Sequence, residues 1–117
     1  MCIFCQIVEG TIPSNKEYED DHCLVFHDIH PIAPIHLLVI PKKHIANFNE
    51  IDPETMGHIT KVIQLVTAKM GLDKSGYRII NNVGHDGGQE VHHIHFHIVG
   101  GQRLRWGTLI EDPHKAM

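Results

Sequence analysis

Four histidines fall in the six residues HHIHFH, positions 92–97. Imidazoles packed this closely cannot all carry a proton at low cost, because like charges a few ångströms apart repel. Lys or Glu would serve a merely solvated face more cheaply, so the cluster points to chemistry. In an extended strand, side chains alternate between faces. His93, His95 and His97 then share one face, while His92, Ile94, Phe96 and Ile98 share the other, the face assigned to the core. Two chemistries fit such a row. Three imidazoles can converge on a zinc ion, or a neutral imidazole can attack phosphorus while its neighbours fix its tautomer and donate protons.

The preceding stretch, NVGHDGGQ, favours the second. Gly84, Gly87 and Gly88 let backbone N–H groups approach a phosphate closely, and Asn82 and Gln89 can donate to its oxygens. A separate pair, Cys2 and Cys5, has metal-chelate spacing.

The elements that must position these residues are also legible. Phe4–Glu9 reads as a short helix or turn stopped at Gly10; Cys23–Phe26 (CLVF) and Leu37–Ile40 (LLVI) read as strands, with Pro31 and Pro34 marking a turn between them. Asp52-Pro53-Glu54 is a helix start, with an acceptor at N-cap, proline at N1 and an acid in the first turn. Met56, Ile59, Ile63, Val66 and Met70 recur at spacings of three and four, an amphipathic helix ending near Gly71. Tyr77–Asn82 is a third strand and Val91–Val99 a fourth. Strands, one long helix, then strands, without a repeated βαβ unit, predict an α+β domain with a largely antiparallel sheet.

Composition narrows the partners. The 117 residues suit one domain, taken as 1–117, and one core. Ten Lys and Arg against fourteen Asp and Glu give a net charge of −4 with no basic stripe, which disfavours a nucleic-acid platform. No apolar run approaches the ~20 residues of a membrane helix. Three cysteines without a secretory leader point to a reducing cytoplasm.

Two longer stretches carry a resemblance. FHDIHPIAPIHLLVIPKKHI (positions 26–45) and GGQEVHHIHFHIVGG (87–101) resemble the histidine-triad (HIT) family, and in particular its Hint branch of purine nucleoside phosphoramidases; RLRW, ending at Trp106, sits where that branch carries a C-terminal Trp segment. The resemblance implies a five-stranded HIT-like sheet with one long and one short N-terminal helix, assembled as a homodimer with Trp106 near the partner's site. It makes His95 the nucleophile that attacks the α-phosphorus of a nucleoside phosphoramidate and forms a nucleotidyl-histidine, which water resolves to AMP or GMP. His97 would contact the phosphate, with His93 and His36 as the remaining active-site histidines, and His36 would order the others. Asp28 would hold the ribose hydroxyls. Phe4, Ile7, Ile12, Phe26, Ile29 and Leu38 would form the slot for the base, and Asn82, Gly88, Gln89 and Glu90 would border the phosphate. No cofactor is implied for catalysis.

In some relatives such a cysteine pair joins two histidines on a structural zinc, here His44 and His93 beside Cys2 and Cys5. Two positions depart from the branch. Glu90 stands where some Hint proteins place a phosphate-binding serine, and His92 stands where the branch often has Tyr and is read as structural. The alternatives are a dinucleoside polyphosphate hydrolase, as in the sister branch, and a non-catalytic nucleotide or metal sensor.

Overall fold

The computed structural model describes residues 2–106. The chain forms α1 (Ile3–Glu9), β1 (Lys16–Glu19), β2 (Cys23–His27), β3 (Ile35–Pro41), α2 (Pro53–Lys69), α3 (Leu72–Ser75), β4 (Tyr77–Ile80) and β5 (Phe96–Gly100). The strands make one antiparallel sheet in the order β1-β2-β3-β5-β4. This is the five-stranded α+β architecture expected, with the long helix where the apolar stripe put it. Asp52 caps α2, its side chain accepting from Thr55 N–H, and Gly71 follows the helix in the left-handed conformation (φ 77°). Among the described residues no helix is long and apolar enough to cross a membrane.

The central strands are buried on both faces, which explains the unbroken apolar runs CLVF and LLVI. On one face Cys23, Val25, Leu37, Val39, Phe96 and Ile98 pack against Ile59, Val62, Ile63 and Val66 of α2. On the other, Leu24, Phe26, Leu38 and Ile40 pack against Phe4 and Ile7 of α1. The sheet therefore separates a core covered by α2 from a thinner face that, among the described residues, is closed by the short α1.

Two elements have no counterpart in the sequence reading. β1 is the edge strand KEYE, mostly charged and with an irregular register between Lys16 and Tyr18. Charge and irregularity guard an edge against unwanted pairing, and they also erase the apolar alternation that would announce a strand. α3 is a single turn anchored by buried Leu72. The fourth predicted strand needs correction. Pairing begins at Phe96 rather than Val91, so His93 and His95 lie on the irregular approach to β5. His92 is exposed rather than in the core, because alternation does not extend back to it.

Candidate active site and adjoining cysteine–histidine cluster

The histidine row divides into three environments. His97 lies on β5 opposite Leu38 of β3, and His36 on β3 opposite Val99 of β5, so the sheet register sets the two histidines side by side. His36 Nε2 and His97 Nδ1 are 2.9 Å apart, and the Ile32 N–H donates to His36 Nδ1 at 3.2 Å. An amide N–H can only donate, so His36 Nδ1 carries the lone pair and its Nε2–H donates to His97. In neutral His97 the proton then resides on Nε2. Burial, reinforced by His95 and His36 nearby, lowers the His97 pKa to about 4, and burial lowers that of His36 as well. Both rings are neutral near pH 7, and each has a defined tautomer.

His95 is fixed independently. Its Nδ1 lies 2.8 Å from the carbonyl oxygen of His93, so Nδ1–H donates there and, in the neutral ring, the lone pair is on Nε2. The backbone of His95 is held as well: Asn81 Nδ2 donates to the His95 carbonyl at 2.9 Å. Asn81 is a bracing residue that the sequence reading passed over in favour of its neighbour Asn82. The rings of His95 and His97 are 5.1 Å apart, and Phe4 packs edge-on against His95 at 5.1 Å.

His95 and His97 border a cavity of about 440 Å³. Its walls include the expected Phe4, Ile7, Ile12, Phe26, Ile29 and Leu38, the carboxylate of Asp28, and Asn82, Gly88 and Glu90 at the glycine-loop end. Ile3, Pro13, Ser14, His27 and Val91 line it too and were not anticipated. Ile3 could have been found, since Ile3 and Ile7 are one helical turn apart on the face that carries Phe4. Asp28 Oδ1 accepts from the His30 N–H at 2.8 Å, while Oδ2 stands 3.5 Å from His36 Nε2. The second oxygen has acceptor capacity left for a diol.

Two expected contacts are not met. Gln89 does not face the cavity: its Nε2 donates to the carbonyls of Ala46 (2.7 Å) and Val91 (3.1 Å), and its Oε1 accepts from the Gly84 N–H. Both amide hydrogens are spent bracing the loop. The Gly88 and Gln89 N–H groups likewise bond within the loop, to His85 and Gly84 carbonyls. The glycines instead permit a tight turn, with Gly88 at φ 76° and Gly87 so close to Val83 that a Cβ would strike its carbonyl oxygen. Trp106 is exposed (79%) and lies off the cavity of its own chain.

His93 faces elsewhere. It is fully buried, and its ligand atom and those of Cys2, Cys5 and His44 all lie within 4.8 Å of one another. His93 Nδ1 is 3.4 Å from Cys2 Sγ and 3.6 Å from Cys5 Sγ, and His44 Nδ1 is 3.4 Å from Cys5 Sγ. A tetrahedral zinc with bonds of about 2.0–2.3 Å separates its ligand atoms by roughly 3.3–3.8 Å. His93 Nε2 lies 2.8 Å from the Pro41 carbonyl, so Nε2–H donates outward and the Nδ1 lone pair points into the cluster, as a metal-ligating histidine requires. Partial desolvation and the adjacent Cys2 raise the Cys5 thiol above its usual value, a tendency that a cation between the thiols would reverse. The donor set fits zinc. No group among the described residues brings the ligand atoms of His93, His95 and His97 together, so the row does not form a three-histidine metal site.

A larger cleft of about 600 Å³ opens between Lys42, Lys43 and the start of α2. Lys42 pairs with Glu19 (2.7 Å) and Lys43 with Asp52 (3.5 Å), so these charges answer one another across the protein's own surface.

The HIT domain family model matches residues 9–104. The chain belongs to the histidine-triad family. A HIT-like protein of Helicobacter pylori, itself uncharacterised, is 46% identical over 103 residues, covering 88% of this chain and 99% of the relative. The crystal structure of a HIT family hydrolase from Legionella pneumophila is similar with a TM-score of 0.88 at 44% identity, over 91% of this chain and 97% of that one. A histidine triad nucleotide-binding protein from Candida albicans aligns with a TM-score of 0.81 at 34% identity, over 99% and 90% of the two chains. The triad that gives the family its name therefore sits here with one histidine beside the cysteines, one on the cavity wall and one bonded to His36.

Proposed function

We propose that the protein is a hydrolase of the Hint type that cleaves the P–N bond of purine nucleoside phosphoramidates, releasing AMP or GMP and an amine. The observation that supports this reading is the tautomer of His95: its Nδ1–H is held by the His93 carbonyl, which in the neutral ring leaves the Nε2 lone pair at a cavity lined by apolar side chains, Asp28 and the glycine loop. The base lies between Phe4, Ile7 and Phe26, the ribose hydroxyls on Asp28, and the phosphate beside His95 and His97. As the Nε2–P bond forms, the P–N bond breaks and the amine leaves with a proton taken from solvent, which is returned when water attacks phosphorus and breaks the Nε2–P bond. Water then releases the nucleoside monophosphate. The His97 Nε2–H, fixed through His36, donates to the phosphate oxygens as charge develops on them. The hydrolase and nucleotide-binding descriptions of the two structural relatives support this class of activity.

Zinc, in this reading, is structural, held by Cys2, Cys5, His44 and His93, and no catalytic step passes through it. A homodimer is proposed in which β4, at the edge of the sheet with Ile79 half exposed, faces a second copy and Trp106 approaches the partner's cavity. Free thiols that pair with histidines suit a reducing cytoplasm. The test is to incubate the protein with adenosine 5′-phosphoramidate and, in parallel, with diadenosine tetraphosphate, following AMP release. Rapid turnover of the first and slow turnover of the second is expected. The reverse order would assign the chain to dinucleoside polyphosphate hydrolysis, and turnover of neither, with AMP still bound, would assign it to sensing.

A further inference from the structure

The cavity's base wall and the cysteine cluster share one element. Helix α1 has only seven residues, and Cys2 is its N-cap, with Sγ accepting from the Cys5 N–H at 3.4 Å. A helix of seven residues has little stability of its own and depends on the contacts that hold it. Its outward-facing tie is the pair of thiols against His44 and His93. Its inward face supplies Ile3, Phe4 and Ile7 to the cavity. The ribose and phosphate groups come from other elements: Asp28 follows β2, His97 is on β5, and His95 is braced by Asn81 and the His93 carbonyl.

From this division we propose that Cys2, Cys5 and His44 are positioning residues for the nucleotide base. A zinc ion on the cluster seats α1, and seated α1 completes the slot, so metal occupancy sets affinity for the base while the hydrogen bonds that orient Asp28, His95 and His97, none of them made by α1, stay in place. The proposal rests on the nucleotide reading above. It goes beyond a structural role for the metal, because general stabilisation would treat all parts of the ligand alike. Linkage also makes it reciprocal, since a nucleotide that holds α1 down must tighten the metal by the same factor.

The experiment compares the zinc-loaded protein, the same protein after dialysis against a chelator, and the dialysed protein reloaded with zinc. AMP binding is measured by calorimetry below the melting temperature of the metal-free form. Ribose 5-phosphate, which lacks a base, is titrated at millimolar concentration by NMR. Removal of zinc should weaken AMP about tenfold or more, a coupling within the ordinary range for linked sites. Reloading should restore it, and ribose 5-phosphate should change by less than about twofold. Saturating AMP should tighten zinc, measured against a competing chelator, by the same factor that zinc tightens AMP. His44→Ala removes an exposed ligand that is not on the cavity, and should shift the zinc concentration needed for tight AMP binding without harming the fold.

Equal weakening of AMP and ribose 5-phosphate would overturn the positioning role in favour of general unfolding. Zinc and AMP that both bind but ignore each other would overturn the coupling and leave the nucleotide reading standing. A chain that takes up no zinc would defeat the cluster as a metal site. A zinc-loaded chain that binds no AMP would defeat the nucleotide reading and this inference with it.

Discussion

The two faces of the sheet use the same strands for opposite purposes. On the α2 face, alternate residues of β2, β3 and β5 meet a 17-residue helix in an apolar cluster. On the α1 face, the intervening residues meet a seven-residue helix, and His36, His95 and His97 are set among Phe4, Phe26 and Leu38. Burial is comparable: Ile59 and Val39 are fully buried, and His95 retains only 7% exposure. What differs is satisfaction. The first face is complete within the chain, whereas the second leaves His95 Nε2, the His97 Nε2–H and an Asp28 oxygen directed at a cavity. A close-packed interior stabilises; one that holds polar groups short of their full bonding is ready for a ligand.

The sharpest way to break this comparison is to remove His95, the nucleophile proposed above. His95→Ala should lower turnover by about three orders of magnitude or more, as losing a covalent nucleophile does. AMP binding should survive. Steady-state release of AMP from the phosphoramidate decides it, and residual activity of more than a few per cent would remove His95 from that role.

A substitution on the other face should do the converse. Ile59→Ala deletes a fully buried side chain beneath α2 and should cost roughly 2–5 kcal/mol of stability. Denaturant unfolding should register the loss while the affinity for AMP at 10 °C stays within about twofold. A large loss of affinity in the folded variant would show that the two faces are not separable.

Asp28 tests the thinner face more finely. Wild-type protein should bind 2′,3′-dideoxy-AMP more weakly than AMP by about 1.5–3 kcal/mol, the range for hydrogen bonds to a charged group. In Asp28→Ala the two nucleotides should bind alike. Equal binding by wild type would take Asp28 out of ribose recognition.

The smallest effect is one of pH. His97 titrates at about 4 and His36 is also lowered, whereas both are near 6.5 in an unfolded chain. Well above pH 6.5 these groups bind almost no proton in either state and stability is flat with respect to them. As pH falls from 6.5 toward 4, the unfolded chain takes up protons that the folded chain refuses, so stability declines across that window. His36→Asn should flatten part of the slope in thermal melts. An unchanged slope would place the acid sensitivity in other groups.

How much of this could be read beforehand differs between the faces for a physical reason. Helix α2 is announced by local signals, its cap at Asp52, Pro53 at N1 and a stripe from Met56 to Met70. The core strands are equally plain because CLVF and LLVI can only be buried. β1 was not legible, since KEYE lies at an edge and carries charge where a strand usually shows alternation. On the cavity face, period-two reasoning placed three histidines on one line but could not see that pairing starts at Phe96. Freed from the ladder, His93 turns to Cys2 and Cys5, 91 and 88 positions away in the chain, a grouping that the family resemblance implied and that strand alternation alone does not give. Gln89 misled for the same reason: its partners Ala46 and Val91 include one far in sequence, and no local pattern shows an amide to be occupied.

The hydrogen-bond chain from Ile32 through His36 to His97 has a consequence for proton traffic. Its far end is a peptide N–H, which cannot give up its proton at any accessible pH or accept another. A proton arriving at His97 from the cavity therefore has no exit along this line, since His36 Nδ1 is already occupied as an acceptor. The chain ends blind. It keeps the two rings in register and pointing the right way, and it offers the reaction no proton route of its own through Ile32.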